Sequence, residues 1–193
     1  LDTIRLELNM RHAQNSQVAA VSPGNYGLDF MKETYGYDLD DSVKCSNFIG
    51  ETIDMAVECG FEKMLLTGHI GKLVKVSGGI MNTHSREADC RVELLAAAGL
   101  RAGVSRDNLM KILDSATTTE AIAYLEEEKK TKPVMEYLME RIIYYTNKRA
   151  KGKMKIECIL YDNQYGELAK SKGAEEFLHE LQHENVTVSG TNI

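Results

Sequence analysis

Short apolar runs alternate with amphipathic stretches along the 193 residues of this chain. The runs at 18–21, 61–67 and 156–161 are flanked by Gly, Pro or polar residues, as buried strands usually are. The stretches between them repeat apolar residues at helical spacing, and this alternation is typical of a sheet with covering helices. The sequence therefore predicts an α/β fold. At 43% hydrophobic composition, the chain can bury a core without disulfide crosslinks.

The chain divides into three predicted parts. Residues 1–104 form an α/β part that carries the motifs, residues 105–150 are mostly helical, and residues 151–193 return as a strand and a closing helix. Within the helical part, Thr117 and Glu120 have the spacing of a capping box, which marks the start of a helix. The first ten residues are compatible with either a strand or a helix.

Polar and glycine-containing segments are predicted to form loops where strands and helices end. The sequence Ser-Pro-Gly-Asn-Tyr-Gly at 22–27 breaks the first strand. Ser46 and Asn47 are expected to cap the helix that stops at Gly60. The segment 68–72 is predicted to be a loop after a strand, and a polar residue within 82–85 is predicted to start a helix that reaches Gly99.

Positive charge is concentrated in one segment of an otherwise acidic chain. Residues 64–91 carry a net charge of +2, whereas the whole chain carries −6. We therefore expect an anionic ligand to bind in this segment. The candidate ligand-binding residues are the polar and basic side chains His69, Lys72, Lys75, Asn82, Thr83, His84 and Arg86.

The sequence Gly68-His69-Ile70-Gly71-Lys72 is similar to loops that bind phosphate through backbone N–H groups and a Lys. Its glycines are too close together for a Walker A motif, and no Ser or Thr follows Lys72. A tight turn with a solvated Lys explains the pattern equally well. The motif is also compatible with an enzyme that acts on a nucleotide phosphate.

No metal site and no catalytic group can be assigned from the sequence. His69 and His84 lack a third ligand at a fixed spacing. His84 could act as a general base, but a hydrogen-bonding role near a helix start explains it as well. The four cysteines form no C-x-x-C pair, so we expect reduced thiols and a cytoplasmic location.

Several classes of protein are disfavoured. No apolar run is long enough to span a bilayer, so no membrane association is expected. The sequence pI of about 5.4 disfavours a nucleic-acid partner, because such proteins usually present a basic face. The chain opens on Leu1 without an initiator Met, and we expect a fragment or a processed chain. The oligomeric state is left open, a homo-oligomer included.

Three segments resemble one known family. They are SPGNYG at 22–27, VKCSNFIG at 43–50 and TGHIGKLVKVSGGIMNTHSREADCRVE at 67–93. Together they are similar to the C-terminal part of the cobalt-precorrin-5B C1-methyltransferase (CbiD) family. The resemblance implies transfer of a methyl group from S-adenosylmethionine to C-1 of a cobalt-containing tetrapyrrole in anaerobic cobalamin biosynthesis, giving cobalt-precorrin-6A. It also implies a missing N-terminal portion that contributes to the active site.

The resemblance gives the candidate residues a substrate and a cofactor. The seven polar and basic residues of 69–86 would bind the acetate and propionate groups of the tetrapyrrole. Because open α/β sheets bind ligands beyond the carboxyl ends of their strands, the cofactor is expected at the loop residues Ser22, Gly24, Asn25, Tyr26, Ser46, Asn47 and Phe48. The alternative is a non-catalytic module of that enzyme, which binds an anionic metabolite or supports assembly.

Overall fold

The computed structural model describes residues 1–24 and 28–189, and it shows a sheet covered by helices on both faces. The strands are β1 (Val18–Ser22), β2 (Val43–Lys44), β3 (Lys63–His69), β4 (Lys155–Asp162) and β5 (Gly166–Lys170). The helices are α1 (Asp2–Ala13), α2 (Leu28–Tyr35), α3 (Ile49–Glu58), α4 (Ile70–Ser77), α5 (Arg91–Arg101), α6 (Arg106–Asp114), α7 (Thr118–Glu127), α8 (Thr131–Arg149) and α9 (Ala174–Ser189). A single 3-10 turn covers Leu39–Asp41.

The strands lie in the order β2-β1-β3-β4-β5. The first four are parallel, and β5 returns antiparallel to β4. All five residues of β1 are buried, because a parallel strand with helices on both faces has no solvent side. The carboxyl ends of β1, β3 and β4 therefore meet at one edge of the sheet.

Each face of the sheet has its own apolar cluster. Met64 and Leu66 of β3 pack with α3, α4 and α8 on one face. Leu65 points to the other face, where it meets residues of α2 and α9 such as Met31 and Phe177. This alternation along β3 fixes which side chains reach the edge of the sheet, because neighbouring strand residues point to opposite faces.

The predicted α/β architecture is confirmed, and so are the strands expected near 18–21, 61–67 and 156–161. The interval 105–150 contains α6, α7 and α8. Thr117 is confirmed as the N-cap of α7, since its Oγ1 accepts from the Glu120 N–H at 3.1 Å. The reciprocal bond of the capping box is displaced by one residue, because Glu120 Oε2 accepts from the Ala116 N–H at 2.8 Å. Among the described residues, no helix has the length and apolar character needed to cross a membrane.

Residues 2–13 form a helix, which resolves the ambiguity of the first ten residues. Three local predictions are wrong. The segment 68–72 is not a loop, because α4 begins directly after β3. Helix α5 begins at Arg91 instead of 82–85, and Phe48 takes the N-cap position of α3 that was expected for Ser46 or Asn47. Two of the side chains expected to cap a helix, Asn47 and Thr83, bond to each other instead.

The side chain of Asn147 on α8 completes the hydrogen bonding of β4. Its Nδ2 donates to the Ile156 carbonyl and its Oδ1 accepts from the Ile156 N–H, both at 3.0 Å. Ile156 is only 1% exposed, so water cannot readily replace these bonds.

We expect Asn147→Ala to lower the free energy of unfolding by about 2 kcal/mol, because it leaves two buried backbone groups without partners. Urea denaturation followed by circular dichroism measures this change. Asn163→Ala, which truncates an exposed Asn, is the control and should leave the midpoint unchanged. Equal midpoints for both variants would contradict the role given to Asn147.

Candidate functional site

A cavity of about 370 Å³ lies where the carboxyl ends of β1, β3 and β4 meet the first turns of α4 and α7. This is the position at which open α/β sheets bind ligands. Its lining combines two cationic side chains, three threonines and one tyrosine with small residues. The lining residues are Pro23, Gly24, His69, Gly71, Lys72, Arg91, Thr117, Thr118, Thr119, Tyr161 and Asn163.

His69 is the N-cap of α4, and its imidazole is fixed by two contacts. Nδ1 accepts from the Gly71 N–H at 3.0 Å, so the proton of the neutral ring must be on Nε2. Nε2 lies 3.4 Å from Asp162 Oδ2. Burial lowers the pKa of His69 and outweighs the opposing effect of Asp162. His69 is therefore a neutral positioning group, and neither ring nitrogen is available as a base.

Asp162 is 1% exposed and joins three elements at the end of β4. Its Oδ1 accepts from the N–H groups of Gln164 at 2.7 Å and Tyr165 at 3.2 Å. Its Oδ2 accepts from Thr119 Oγ1 of α7 at 2.8 Å and faces His69. A buried carboxylate is tolerated only with such a full set of partners. Asp162 thereby holds His69 and Thr119, two residues that line the cavity.

Tyr161 gives the cavity an aromatic wall. Its ring stacks on Phe30, with centroids 5.2 Å apart and planes at 28°. The His69 ring lies nearly perpendicular to it, with the ring centroids 5.8 Å apart. Burial raises the pKa of the Tyr161 phenol, which is therefore neutral at physiological pH.

Lys72 lines the cavity, but its ammonium is bound to the protein. Nζ donates to the Pro23 carbonyl at 2.9 Å and to the Ser46 carbonyl at 3.3 Å. Burial lowers the pKa of Lys72.

Lys75 does not face the cavity, and its assignment as a ligand-binding residue requires correction. It is 2% exposed, and its Nζ donates to the carbonyls of Thr83 at 3.0 Å and Ala88 at 2.8 Å. Burial lowers its pKa as well. A side chain so enclosed by its own protein binds the 83–88 loop in place of a ligand.

The remaining candidate residues of 82–86 lie on an irregular loop that leads into α5. Asn82 Oδ1 accepts from the His84 N–H at 3.1 Å, and His84 Nδ1 accepts from the Arg86 N–H at 3.0 Å. His84 and Arg86 are exposed. Thr83 is buried and bonded through Oγ1 to Asn47 at 3.2 Å. The structure thus brings only His69 and Lys72 of the seven into the cavity.

The residues expected to bind the cofactor are also divided. Gly24 lines the cavity, and Asn25 and Tyr26 lie outside the described residues. Ser22 is fully buried, with its Oγ 2.8 Å from Ser42 Oγ, so it is a structural residue.

Ser46, Asn47 and Phe48, which were also expected to bind the cofactor, lie between β2 and α3 and do not line the cavity. Ser46 has a left-handed backbone with φ of 53° and offers its carbonyl to Lys72. Asn47 bonds to Thr83, and Phe48 packs on the apolar core. These residues shape the cavity through the backbone.

Sequence reasoning missed four parts of this site: Arg91, the threonines at 117–119, Tyr161 and Asp162. The capping-box spacing at Thr117 and the end of the strand at Asp162 were both visible in the sequence, but their proximity depends on the path of the chain.

Arg91 forms a two-point contact with Asp89, at 2.8 and 3.1 Å, which lowers the pKa of Asp89. In the described part of the chain, no cluster of three or more His, Cys, Asp or Glu could hold a metal ion.

Comparison with known proteins adds the family. The model described as CbiD, C-terminal domain, matches residues 82–172. The cobalt-precorrin-5B C(1)-methyltransferase of Ruminiclostridium cellulolyticum is 41% identical over 96% of this chain and 50% of the relative. The protein of the same name from Alkaliphilus metalliredigens is 37% identical over 96% of this chain and 49% of its own length.

A third relative carries the same name. The cobalt-precorrin-5B C(1)-methyltransferase of Methanocaldococcus jannaschii is 40% identical over 77% of this chain and 41% of the relative. The chain spans about half the length of the curated relatives it matches. No solved structure matches it. The chain therefore belongs to the CbiD family, and it corresponds to the C-terminal part of the family's enzyme.

Proposed function

We propose that this protein takes part in methyl transfer from S-adenosylmethionine to C-1 of cobalt-precorrin-5B, giving cobalt-precorrin-6A, in cytoplasmic cobalamin biosynthesis. The observation that carries the proposal is the 41% identity across nearly the whole chain to a protein named for this reaction. The cavity at the carboxyl edge of the sheet supports it, because the sequence resemblance and the ligand-binding position of the fold coincide there.

The methyl donor would bind in the cavity at the strand ends. A volume of about 370 Å³ is at the lower end of ligand pockets, which suits a nucleoside conjugate better than a complete tetrapyrrole. The first turn of α7 presents N–H groups, which favour a carboxylate. Beside it lies Arg91, whose guanidinium is also paired with Asp89. Tyr161 lines the cavity beside these groups, so the residues present fit the donor.

The tetrapyrrole would then lie over the mouth of the cavity, where the 82–90 loop presents its exposed groups. The exposed His84 and Arg86 and the half-buried Asn82 offer imidazole, guanidinium and amide donors to its carboxylates. Arg86 is the strongest of these, because a planar guanidinium binds a carboxylate through two parallel hydrogen bonds.

A larger groove of about 1070 Å³ between α8 and β5 suits this substrate less well. Five glutamates and four lysines line it. The lysines at 132, 155 and 170 already lie within ion-pair distance of glutamates. A ligand with many carboxylates would be repelled there.

Methyl transfer makes few demands on acid–base groups. When bound, S-adenosylmethionine supplies a sulfonium methyl: C-1 forms the new bond with its electron pair, and the bond to sulfur breaks to leave S-adenosylhomocysteine. The protein would align the two reactants and exclude water. This agrees with a site in which His69 is neutral and Asp162 is fully bonded.

The alternative, a non-catalytic binding module, is distinguished by comparing binding with turnover. Methyl transfer by this chain alone supports the enzyme. Binding of S-adenosylhomocysteine without transfer, restored by the remaining half of a full-length relative, supports a module that carries only part of the active site.

We expect Asn163→Trp to weaken S-adenosylhomocysteine binding at least tenfold, since the indole would fill the cavity that Asn163 lines. Isothermal titration calorimetry measures this affinity. Gln164→Trp adds the same bulk one position along the chain, outside the cavity lining, and should leave the affinity within twofold. Equal affinities would place the donor elsewhere.

An enzyme that acts on a nucleotide phosphate makes a different prediction. Protection of residues 68–72 from hydrogen exchange by magnesium-ATP would favour that function.

Arg86→Gln should weaken binding of a cobalt tetrapyrrole with free acetate and propionate groups by roughly 10- to 100-fold, because one lost charged hydrogen bond costs about 1.5–3 kcal/mol. Absorbance titration of the tetrapyrrole follows the binding. Arg106→Gln, on exposed α6, removes the same charge away from the 82–90 loop. A similar loss in both variants would show that only the net charge matters.

His69 should remain neutral down to a pH below 6.5, the usual pKa of a histidine, because burial disfavours the imidazolium. The unfolded chain binds a proton near pH 6.5, so the contribution of His69 to stability is complete above that pH and is lost as the pH falls through it. Nitrogen-15 NMR should show the proton on Nε2. Protonation of both nitrogens at pH 7 would contradict this assignment.

A further inference from the structure

We propose that Lys72 and Lys75 form a lysine clamp: two positioning residues on α4 whose ammonium groups bind backbone carbonyls and hold three loops in place before any ligand arrives. The clamp itself follows from the contacts of the described residues. Its effect on ligand binding rests on the proposed function.

Lys72 connects the loops that follow two different strands. Its Nζ bonds the Pro23 carbonyl, after β1, and the Ser46 carbonyl, after β2. Ser46 has a left-handed backbone, with φ of 53°, which is unfavourable for a residue other than glycine and persists only when its surroundings hold it. The charge-assisted hydrogen bond from Lys72 to the Ser46 carbonyl contributes to that restraint, and the second bond ties the same ammonium to Pro23.

Lys75 acts in the same way on the third loop. Its Nζ bonds the carbonyls of Thr83 and Ala88, so the two ends of the 83–88 segment are tied to one atom. The ammonium is buried, and both of these acceptors are uncharged carbonyls. Burying a cation is costly unless it is hydrogen-bonded. Here the hydrogen bonds go to backbone carbonyls, so they hold the 83–88 loop in place.

The loops held by the two lysines also contact each other. Thr83 donates its N–H to the Asn47 carbonyl at 3.0 Å, and Phe48 forms an isolated β-bridge with Asn82. At the start of α4, His69 faces Asp162 of β4. Helix α4 thus carries, within seven residues, contacts to every loop around the cavity described above except the start of α7, which Asp162 holds through Thr119.

A direct ligand-binding role for Lys72 makes a different prediction. If Lys72 only bound the ligand, its removal would leave the loops of the ligand-free protein unchanged. If it is a clamp, its removal loosens them without any ligand present. Hydrogen exchange of the ligand-free chain therefore separates the two roles, whatever the substrate proves to be.

The test is hydrogen exchange, followed by NMR, of Lys72→Met, Lys75→Met and the control Lys63→Met. Lys63 also holds a partner, Glu180, but at the amino end of β3. The reporters for Lys72 are the amides of Cys45 and Phe48, bonded to Ser22 and Cys45 carbonyls.

The reporters for Lys75 are the amides of Glu87 and Ala88, bonded to the His84 carbonyl. Each clamp variant should speed exchange at least tenfold at its own reporters, and Lys63→Met should change neither set. Lys72→Arg, which keeps the charge and several donors, should restore part of the protection at Cys45 and Phe48.

Exchange at Cys45 and Phe48 within twofold of the original in Lys72→Met would overturn the proposal. If Lys75→Met fails to fold, the ammonium of Lys75 in the unaltered protein decides instead: a slowly exchanging NζH₃ signal supports the clamp, and fast exchange with water overturns its Lys75 half.

Binding of S-adenosylhomocysteine supplies a readout that a purely structural lysine would not move. Lys72→Met should weaken this binding at least tenfold, and Lys72→Arg should recover part of it. Equal affinity for the unaltered protein and Lys72→Met would overturn the effect on the ligand. If the loops loosen but the unaltered protein does not bind S-adenosylhomocysteine, the clamp stands and the proposed function fails.

Discussion

The buried carboxylate of Asp162 is the interaction on which the cavity depends. It receives two backbone N–H groups from the turn after β4, the hydroxyl of Thr119 and the edge of His69. Through these partners one residue sets the distance between the last parallel strand, the start of α7 and the cap of α4. Such a group is stable away from water only while every partner is in place, so the three elements are positioned together.

The parallel sheet turns this local arrangement into a site. Since β1 to β4 run in the same direction, the segments that follow β1, β3 and β4 come to the same edge. Distant parts of the chain, including Gly24, His69, Arg91 and Thr118, thereby line a single cavity. Its electrostatic character comes from two cationic side chains and helix N-terminal turns, within a chain whose net charge is −6.

The sequence was sufficient to predict the fold class, three of the strands and the Thr117 cap of α7, because these follow from local periodicity and short spacings. It failed where polar side chains had a choice of partners. Asn47 was expected to cap a helix but bonds to Thr83. Lys75 was expected to bind a ligand but is buried against two carbonyls. The role of Asp162 could not be derived, because its partner Thr119 lies 43 positions away in the chain.

The two edge strands of the sheet determine whether it can pair with the sheet of another molecule. Along the part of the chain that is described, one outermost strand, β2, has two residues, and the other, β5, has five. The pairing of β5 with β4 shifts register near Leu160 and Tyr161, and β5 carries Glu167 and Lys170. Short, irregular and charged borders are poor templates for strand addition by a neighbour. Pairing of the edge strands β2 and β5 with a second molecule is therefore disfavoured, and so is polymerisation through the sheet edges.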